Sequence, residues 1–380
     1  MTPKRTDRSC GGPSIAASDV EERLAYVALA LIPGLGARRL AGLLSRFGSA
    51  RAVFCAPPGS LRRTVGIGSE VAGAVSAIRL EAVERLIAGQ RAQGSLVLTP
   101  ADREFPALLR SIPDPPILLW SRGNLGVLEH PAVAIVGSRD HTAYGAEVAG
   151  AIGRGAAIAG IVVVSGMARG LDAVAHAAAL DAGFPTIGVI ANGVDIVYPV
   201  SNKPLYERVY AEGLVLSEYP PGDRAFPGAF PRRNRLVSGL ARALVVVEAA
   251  DGSGTMLTVT SALEQGRDVF AVPGPIGSPT SRGTNRLIRD GATPLLDIEQ
   301  LLSLYGVVPS PKSSPNAPSC TLSPTEATVF DALSEGGRHV DELALGTGLP
   351  VGTLLGALLG LELGGLAEQL PGNFYRRGHR

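Results

Sequence analysis

Residues 132–145 read AVAIVGSRDHTAYG: five apolar residues in a row, then glycine, serine and arginine, then the start of a new segment. The same cadence returns in IVVVS (161–165), TIGVI (186–190), LVLSE (214–218), ALVVVE (243–248) and DVFAV (268–272), with helical stretches between. Strands that are apolar throughout, rather than alternating, belong to a parallel sheet covered by helices on both faces. The expected core is therefore an extended Rossmann-like, doubly wound, mainly parallel α/β sheet over residues 95–305. Such sheets take ligands beyond the carboxyl ends of their strands, so the residues just after each run are where binding is to be sought.

Those residues share one chemistry. The first loop carries Gly137, Ser138 and Arg139; the second carries Ser165, Gly166, Arg169 and Gly170; the third carries Asn192 and Gly193. The fourth opens into a longer segment with Arg232, Arg233, Asn234 and Arg235, and the fifth carries Ser253, Gly254 and Thr255. Glycine lets the backbone approach a ligand, hydroxyls and helix-start N–H groups bind phosphate oxygens, and arginine adds charge-assisted bonds. Between Arg224 and Arg242 there are five arginines and no acid. Any single arginine reads better as a solvated residue on a helix face, but Arg139, Arg169 and the 232–235 cluster together at one sheet edge predict an anion groove. All sixteen loop residues named here are expected to bind DNA or phosphate.

Several ligand classes are disfavoured. No G-x-G-x-x-G follows the first strand, and Ser165 stands where a dinucleotide site carries an acid for the ribose, so NAD is not expected. No G-x-x-x-x-G-K-[ST] occurs, which removes the usual ATP-hydrolysing loop. Asp172 and His176, four apart on the helix after Arg169, suit a helix-start carboxylate and its neighbour better than a metal or acid–base pair. Cys10, Cys55 and Cys320 are far apart and odd in number, giving neither a disulfide framework nor a zinc site. No cofactor and no metal are expected. The apolar runs are strand-length and the start is polar, so no membrane span or export signal is read, and a reducing cytoplasm fits.

Outside the sheet, residues 1–18 read as a disordered arm and 19–94 as a small all-α domain, with Leu24, Val27, Ala28 and Leu31 on one helical face. Ile32-Pro33-Gly34-Leu35-Gly36 and Val65-Gly66-Ile67-Gly68 fit a helix-hairpin-helix (SAM-like) form. Paired glycines there either aim N–H groups at a phosphate, helped by Arg38 and Arg39, or only close the turn. Residues 306–320 are rich in Pro and Ser and read as a linker. Residues 321–380 suit a winged helix, but its candidate recognition helix, 351–363, has no Lys or Arg, and the module holds seven acids against four arginines. Protein contact is the better reading for it than a DNA groove. With 35 basic and 34 acidic residues overall, any polyanion must be gripped by local clusters.

The runs AIVGSRDHTAYG, VVVSGMARGLDAVAHAAAL, NGVDIVYPVSN, LVLSEYPPG, FPRRNRLVSGLARALVVVEA, SGTMLTVTSALEQGRDVFAVPG and GTNRLIRDGA strongly resemble the DprA/Smf family of DNA-processing proteins, over residues 96–302. The resemblance implies a non-catalytic core that binds single-stranded DNA, protects incoming strands in natural transformation and helps load the recombinase RecA. It also implies a homodimer made through the Rossmann-like domain. By position it implies phosphate contacts from Arg139 and Arg169, with Arg232, Asn234 and Arg235 in the family's F-P-x-R-N-R segment. Nucleotide phosphoribohydrolases share a related core and are the rival reading. Their P-G-G-x-G-T-x-x-E loop, however, corresponds here to residues 251–258, with Thr258 at the carboxylate position.

Overall fold

The computed structural model describes residues 15–307, 322–334, 337–363, 366–370 and 372–378. Most of the arm expected over 1–18, and of the linker expected over 306–320, lies outside the described residues. The chain divides into two compact units, Met1–Val308 and Pro309–Arg380.

In the first unit the strands are β1 (Ser95–Leu98), β2 (Leu119–Gly123), β3 (Ala132–Val136), β4 (Val162–Ser165), β5 (Thr186–Val189), β6 (Leu214–Ser217), β7 (Ala243–Val246), β8 (Asp268–Ala271) and β9 (Thr293–Pro294). They form one sheet in the order β1-β2-β6-β5-β4-β3-β7-β8-β9. Pairing from β6 to β9 is parallel, and β2 is antiparallel to both β1 and β6. The chain winds outward from β3 through β4, β5 and β6, then returns to lay β7 on the other side of β3. That reversal leaves a crevice beyond the carboxyl ends of β3 and β7, the switch point at which such sheets bind ligands.

The continuous apolar runs work as two alternating sets. Ala134, Val136, Val162, Val164, Leu244 and Val246 pack with Leu236 and Val259 on one side. Val133, Ile135, Val163 and Val245 pack with Ala149, Ile152 and Ala175 on the other. All six strands expected from the sequence are present; β1, β2 and β9 extend the sheet beyond them.

The N-terminal helices run Ile15–Ala30, Ala37–Phe47, Ala50–Cys55, Pro58–Leu61, Ser69–Ala77 and Leu80–Ala92. Gly34 and Gly66 take φ of 79°, the left-handed turn that lets each hairpin reverse and bury Ile32, Leu35 and Ile67. A second seam joins Val27, Ala28, Phe54 and Val83 to Val97, Trp120 and Val215 of the sheet. Among the described residues no single helix is long and apolar enough to cross a membrane.

The second unit has helices Pro324–Ala332, Val340–Thr347 and Val351–Leu363, and strands β10 (Arg338–His339), β11 (Ala367–Leu370) and β12 (Phe374–Arg377) in the order β10-β12-β11. Ser323 and Glu326 close a capping box on the first helix. Val329, Leu343, Leu354, Leu358 and Tyr375 form its core, giving a winged helix.

Candidate functional site

A cleft of about 400 Å³ opens at the carboxyl ends of β3, β4 and β7. Its first wall is the turn after β3. There the Ser138 hydroxyl donates to Asp140 O (2.8 Å) and accepts from Asp140 N (3.2 Å), so the serine shapes the turn. Arg139 lines the cleft, is exposed, and holds its guanidinium 5.9 Å from the Phe230 ring centre.

The second wall is the Ser165–Gly170 loop, fixed from several directions. Met167 is fully buried at φ 56°, a conformation costly for a side chain with a Cβ. Asn202 Nδ2 donates to Met167 O and Ala168 O, both at 3.0 Å. Asp172 Oδ2 accepts from Gly166 N (3.1 Å) and Ala168 N (3.4 Å), while Arg233 donates to Gly166 O (2.5 Å) and to Val189 O. Gly170, at φ 83°, runs so close to the preceding loop that a Cβ there would lie 2.5 Å from Ser138 O. The first two loops are thereby locked together.

The third wall is the start of helix Thr255–Glu264, which follows β7. Its N-cap, Gly254, supplies no side-chain acceptor, and Met256 N and Leu257 N donate back to Ser253 O (3.0 Å) and Gly254 O (3.2 Å), so the helix brings its positive end to the cleft without an internal anion. Ser253 Oγ, also on the lining, is buried and has no hydrogen-bond partner among the described residues. Thr255 Oγ1 reaches Gly137 O at 3.4 Å and ties this wall to the first. The helix after β3, Ala143–Ile158, is arranged in the opposite way. Glu248, 2% exposed, accepts from Thr142 N (3.0 Å) and Thr142 Oγ1 (2.6 Å) and places its own carboxylate at that helix start. The seat that a dinucleotide's pyrophosphate takes in related sheets is therefore filled from within.

Burial governs the charges below the cleft. Desolvation raises the Asp172 carboxyl above the usual carboxylate range, opposed by Arg233 and by the two N–H donors. The same burial lowers Arg233, with Asp172 opposing it. His176, fully buried with Nδ1 2.6 Å from Thr186 Oγ1, is pushed down to about 3, first by desolvation and then by Arg233. Asp172 thus supports the loop from within at its helix start, whereas His176, expected as its neighbour one turn on, bonds instead to Thr186 of β5.

Of the expected site residues, Gly137, Ser138, Arg139, Gly166, Arg233, Asn234, Ser253, Gly254 and Thr255 line this one cleft. Arg169 and Arg232 are exposed and adjoin lining residues in sequence. The rest are placed differently. Ser165 is buried and donates to Ile135 O (2.5 Å), Asn192 is 1% exposed and donates to Gly193 O and Ile196 O, and neither these nor Gly170 and Gly193 reach the cleft lining. Arg233, although on the lining, is 6% exposed and spends its donors on backbone carbonyls. Arg235 pairs with Glu218 (2.7 Å) and Asp114 (3.0 Å), its side chain 16% exposed. The cause is local: the F-P-x-R-N-R segment lies in helix Ala229–Gly239, where each residue turns by roughly 100°, so Arg233 and Arg235, two apart, point to opposite sides and the three arginines cannot share one face. Only Arg232 of the three arginines faces solvent. Expectation missed Asn202, Phe230 and Glu248; for Glu248 the signal was an acid closing an otherwise apolar strand, which has to be neutralised or bonded somewhere.

Comparison with known proteins bears on this site. The family model for DNA recombination-mediator protein A matches residues 96–306, more than half of the chain. The chain belongs to the DNA recombination-mediator protein A family. The family's winged-helix model matches residues 313–373. The chain is 36% identical over 316 residues to Protein Smf of Synechocystis, covering 74% of this chain and 79% of that one. It is 38% identical over 291 residues to Protein Smf of Escherichia coli, covering 73% and 77%. Among solved structures it is similar to DNA processing protein A of Streptococcus pneumoniae, with 34% identity and a TM-score of 0.66 over 73% of this chain and 97% of that one. It is also similar to DNA processing protein A of Helicobacter pylori, reported for its single-stranded DNA binding mode, with 30% identity and a TM-score of 0.51 over 56% and 95%.

Proposed function

We propose that this protein binds single-stranded DNA along the cleft, without catalysis, by seating backbone phosphates between Arg139, Ser253 and the start of helix Thr255–Glu264. The observation that carries this is the convergence on one concave surface of an exposed arginine, a buried hydroxyl without a partner among the described residues, and the positive end of a helix that no side chain caps. The binding mode reported for the Helicobacter pylori relative supports it. Arg169 and Arg232, exposed beside the cleft, extend the track, while Arg233 and Arg235 brace it. In the cell the role is protection of incoming strands and loading of RecA in natural transformation and recombination, by a cytoplasmic homodimer formed through the sheet domain.

The test is fluorescence anisotropy with matched single- and double-stranded oligonucleotides over a salt series. Arg139→Ala and Arg169→Ala are expected to weaken single-strand binding alike for all sequences, each lowering the salt slope by about 0.7. Unchanged affinity and slope in both variants would overturn the reading. Base preference is expected to be slight, since phosphate contacts carry no base information. Asp172, the acid among the described lining residues, is engaged with two backbone N–H groups, so no free base should be released from nucleoside monophosphates. Such release would favour the phosphoribohydrolase instead.

A further inference from the structure

The helices of the winged-helix unit are polarised in charge and carry an uncovered apolar ridge. Helices Pro324–Ala332, Val340–Thr347 and Val351–Leu363 together bear Glu326, Asp331, Asp341, Glu342 and Glu362 and no Lys or Arg. The module's described arginines, Arg338, Arg376 and Arg377, all sit on strands. Two of these are engaged: Arg376 with Glu368 (2.7 Å), and Arg377 with the Phe330 ring and the Phe330 carbonyl.

On helix Val351–Leu363 one side enters the core through Leu354, Ala357, Leu358 and Leu361. The other side leaves Val351, Leu355 and Leu359 at 49%, 43% and 57% exposure, one helical turn apart. Gly352 and Gly356 run beside them with nothing within 4 Å of where a Cβ would stand. A row of leucines next to a row without side chains is a ridge beside a groove, the shape into which another helix packs closely. Solvent gains nothing from such a surface, and a DNA backbone would meet no Lys or Arg on this helix and one acid, Glu362.

We propose that this face docks a partner helix whose apolar stripe is flanked by Lys or Arg. The apolar stripe would lie along Val351, Leu355 and Leu359, and the basic flanks would meet the acids of the three helices. Size separates this from self-pairing. A helix of about 20 Å by 10 Å covers on the order of 200 Å² per partner, against about 800 Å² in a stable dimer interface. Two neutral-to-acidic copies would also add no attraction. A short basic helix gains both burial and charge, giving a weak and reversible contact.

The test uses the full chain and two labelled synthetic peptides, each 18 residues long with leucines at helical spacing, one filled with Lys and the other with Glu. Anisotropy is expected to show saturable binding of the Lys peptide, weakened about tenfold by Leu355→Ser with Leu359→Ser, and at least tenfold weaker binding of the Glu peptide. Thermal melts check that the double variant keeps its fold; if it does not, the single Leu355→Asn variant is read in its place. Single-stranded DNA affinity should not change, which separates this proposal from the one on the cleft. Equal binding of both peptides, equal binding by the folded variant, or no binding by the wild type would overturn the proposal. So would a concentration-dependent dimer that the leucine changes dissolve, since the occupant would then be a second copy.

Discussion

The cleft rim and the recognition helix are both places where a nucleic acid could be met, and they are built in opposite ways. At the rim, hydroxyls, a positive helix end and an exposed arginine converge over loops held by buried Asp172 and Arg233 and half-buried Asn202. On the recognition helix the exposed side is leucine, valine, glycine and one threonine with one acid. The difference teaches that a phosphate seat needs internal bracing as well as surface charge, because its donors must be held in place before the ligand arrives. Arginine therefore has two jobs at the rim, and mutation should separate them.

The largest effect should come from the bracing. Arg233→Met leaves Gly166 O and Val189 O without their donor and Asp172 buried without its opposing charge. We expect a loss of about 3 kcal/mol in urea-unfolding stability. Arg139→Ala, on the exposed edge, should stay within about 0.5 kcal/mol. Comparable stability losses in the two variants would erase the distinction between bracing and surface arginines.

Acid should weaken the same network. His176 is neutral in the folded chain down to about pH 3, whereas the unfolded chain protonates near 6.5. As pH falls below that value the unfolded state takes up a proton that the folded state refuses, so stability drops by up to about 1.4 kcal/mol per pH unit between pH 6 and 4. The raised Asp172 acts in the opposite sense, since the folded state then takes its proton first and gains stability as pH falls toward 3.8. The observed slope should lie below the limit, and His176→Gln should flatten it. A variant with the wild-type slope would show that the histidine titrates in the folded chain.

Next in size is the carboxylate at the wrong helix for a dinucleotide. Glu248→Ala strips Thr142 of its partners and should cost about 2 kcal/mol, with Glu248→Gln recovering part of it because an amide oxygen still accepts from Thr142 N. Calorimetric melting checks both. If the glutamine variant melts no higher than the alanine variant, the charge at the helix start matters more than the hydrogen bonds.

Much of this organisation was legible in the chain. Six apolar runs of strand length placed the sheet, glycine spacing placed the hairpins, and the lack of Lys or Arg over 351–363 marked the recognition helix as unlike a DNA reader. β1 and β2 escaped because SLVL is short and LWSRG is broken by Ser121, Arg122 and Gly123, so neither shows the unbroken apolar run of the parallel strands. The direction of the arginines was hidden for another reason. Read as an open loop, residues 232–235 form one cationic cluster; wound into helix Ala229–Gly239 they diverge, one outward and two toward buried acceptors and acids. Composition records how many charges a segment has, whereas the period of its secondary structure decides where they go.

The smallest expected effect is a null result, and it tests the other half of the comparison. If DNA is held by phosphate contacts at the rim, a surface without cations contributes nothing to affinity or to its salt dependence. Leu355→Ser with Leu359→Ser changes neither charge nor any residue of the cleft, so affinity for a 20-nucleotide single strand should stay within about twofold and the slope should be unchanged. A clear loss of DNA binding with the slope preserved would mean that bases stack on the leucine ridge. The recognition helix would then be a second nucleic-acid surface working by apolar contact, and the contrast with the rim would be one of mechanism rather than of ligand.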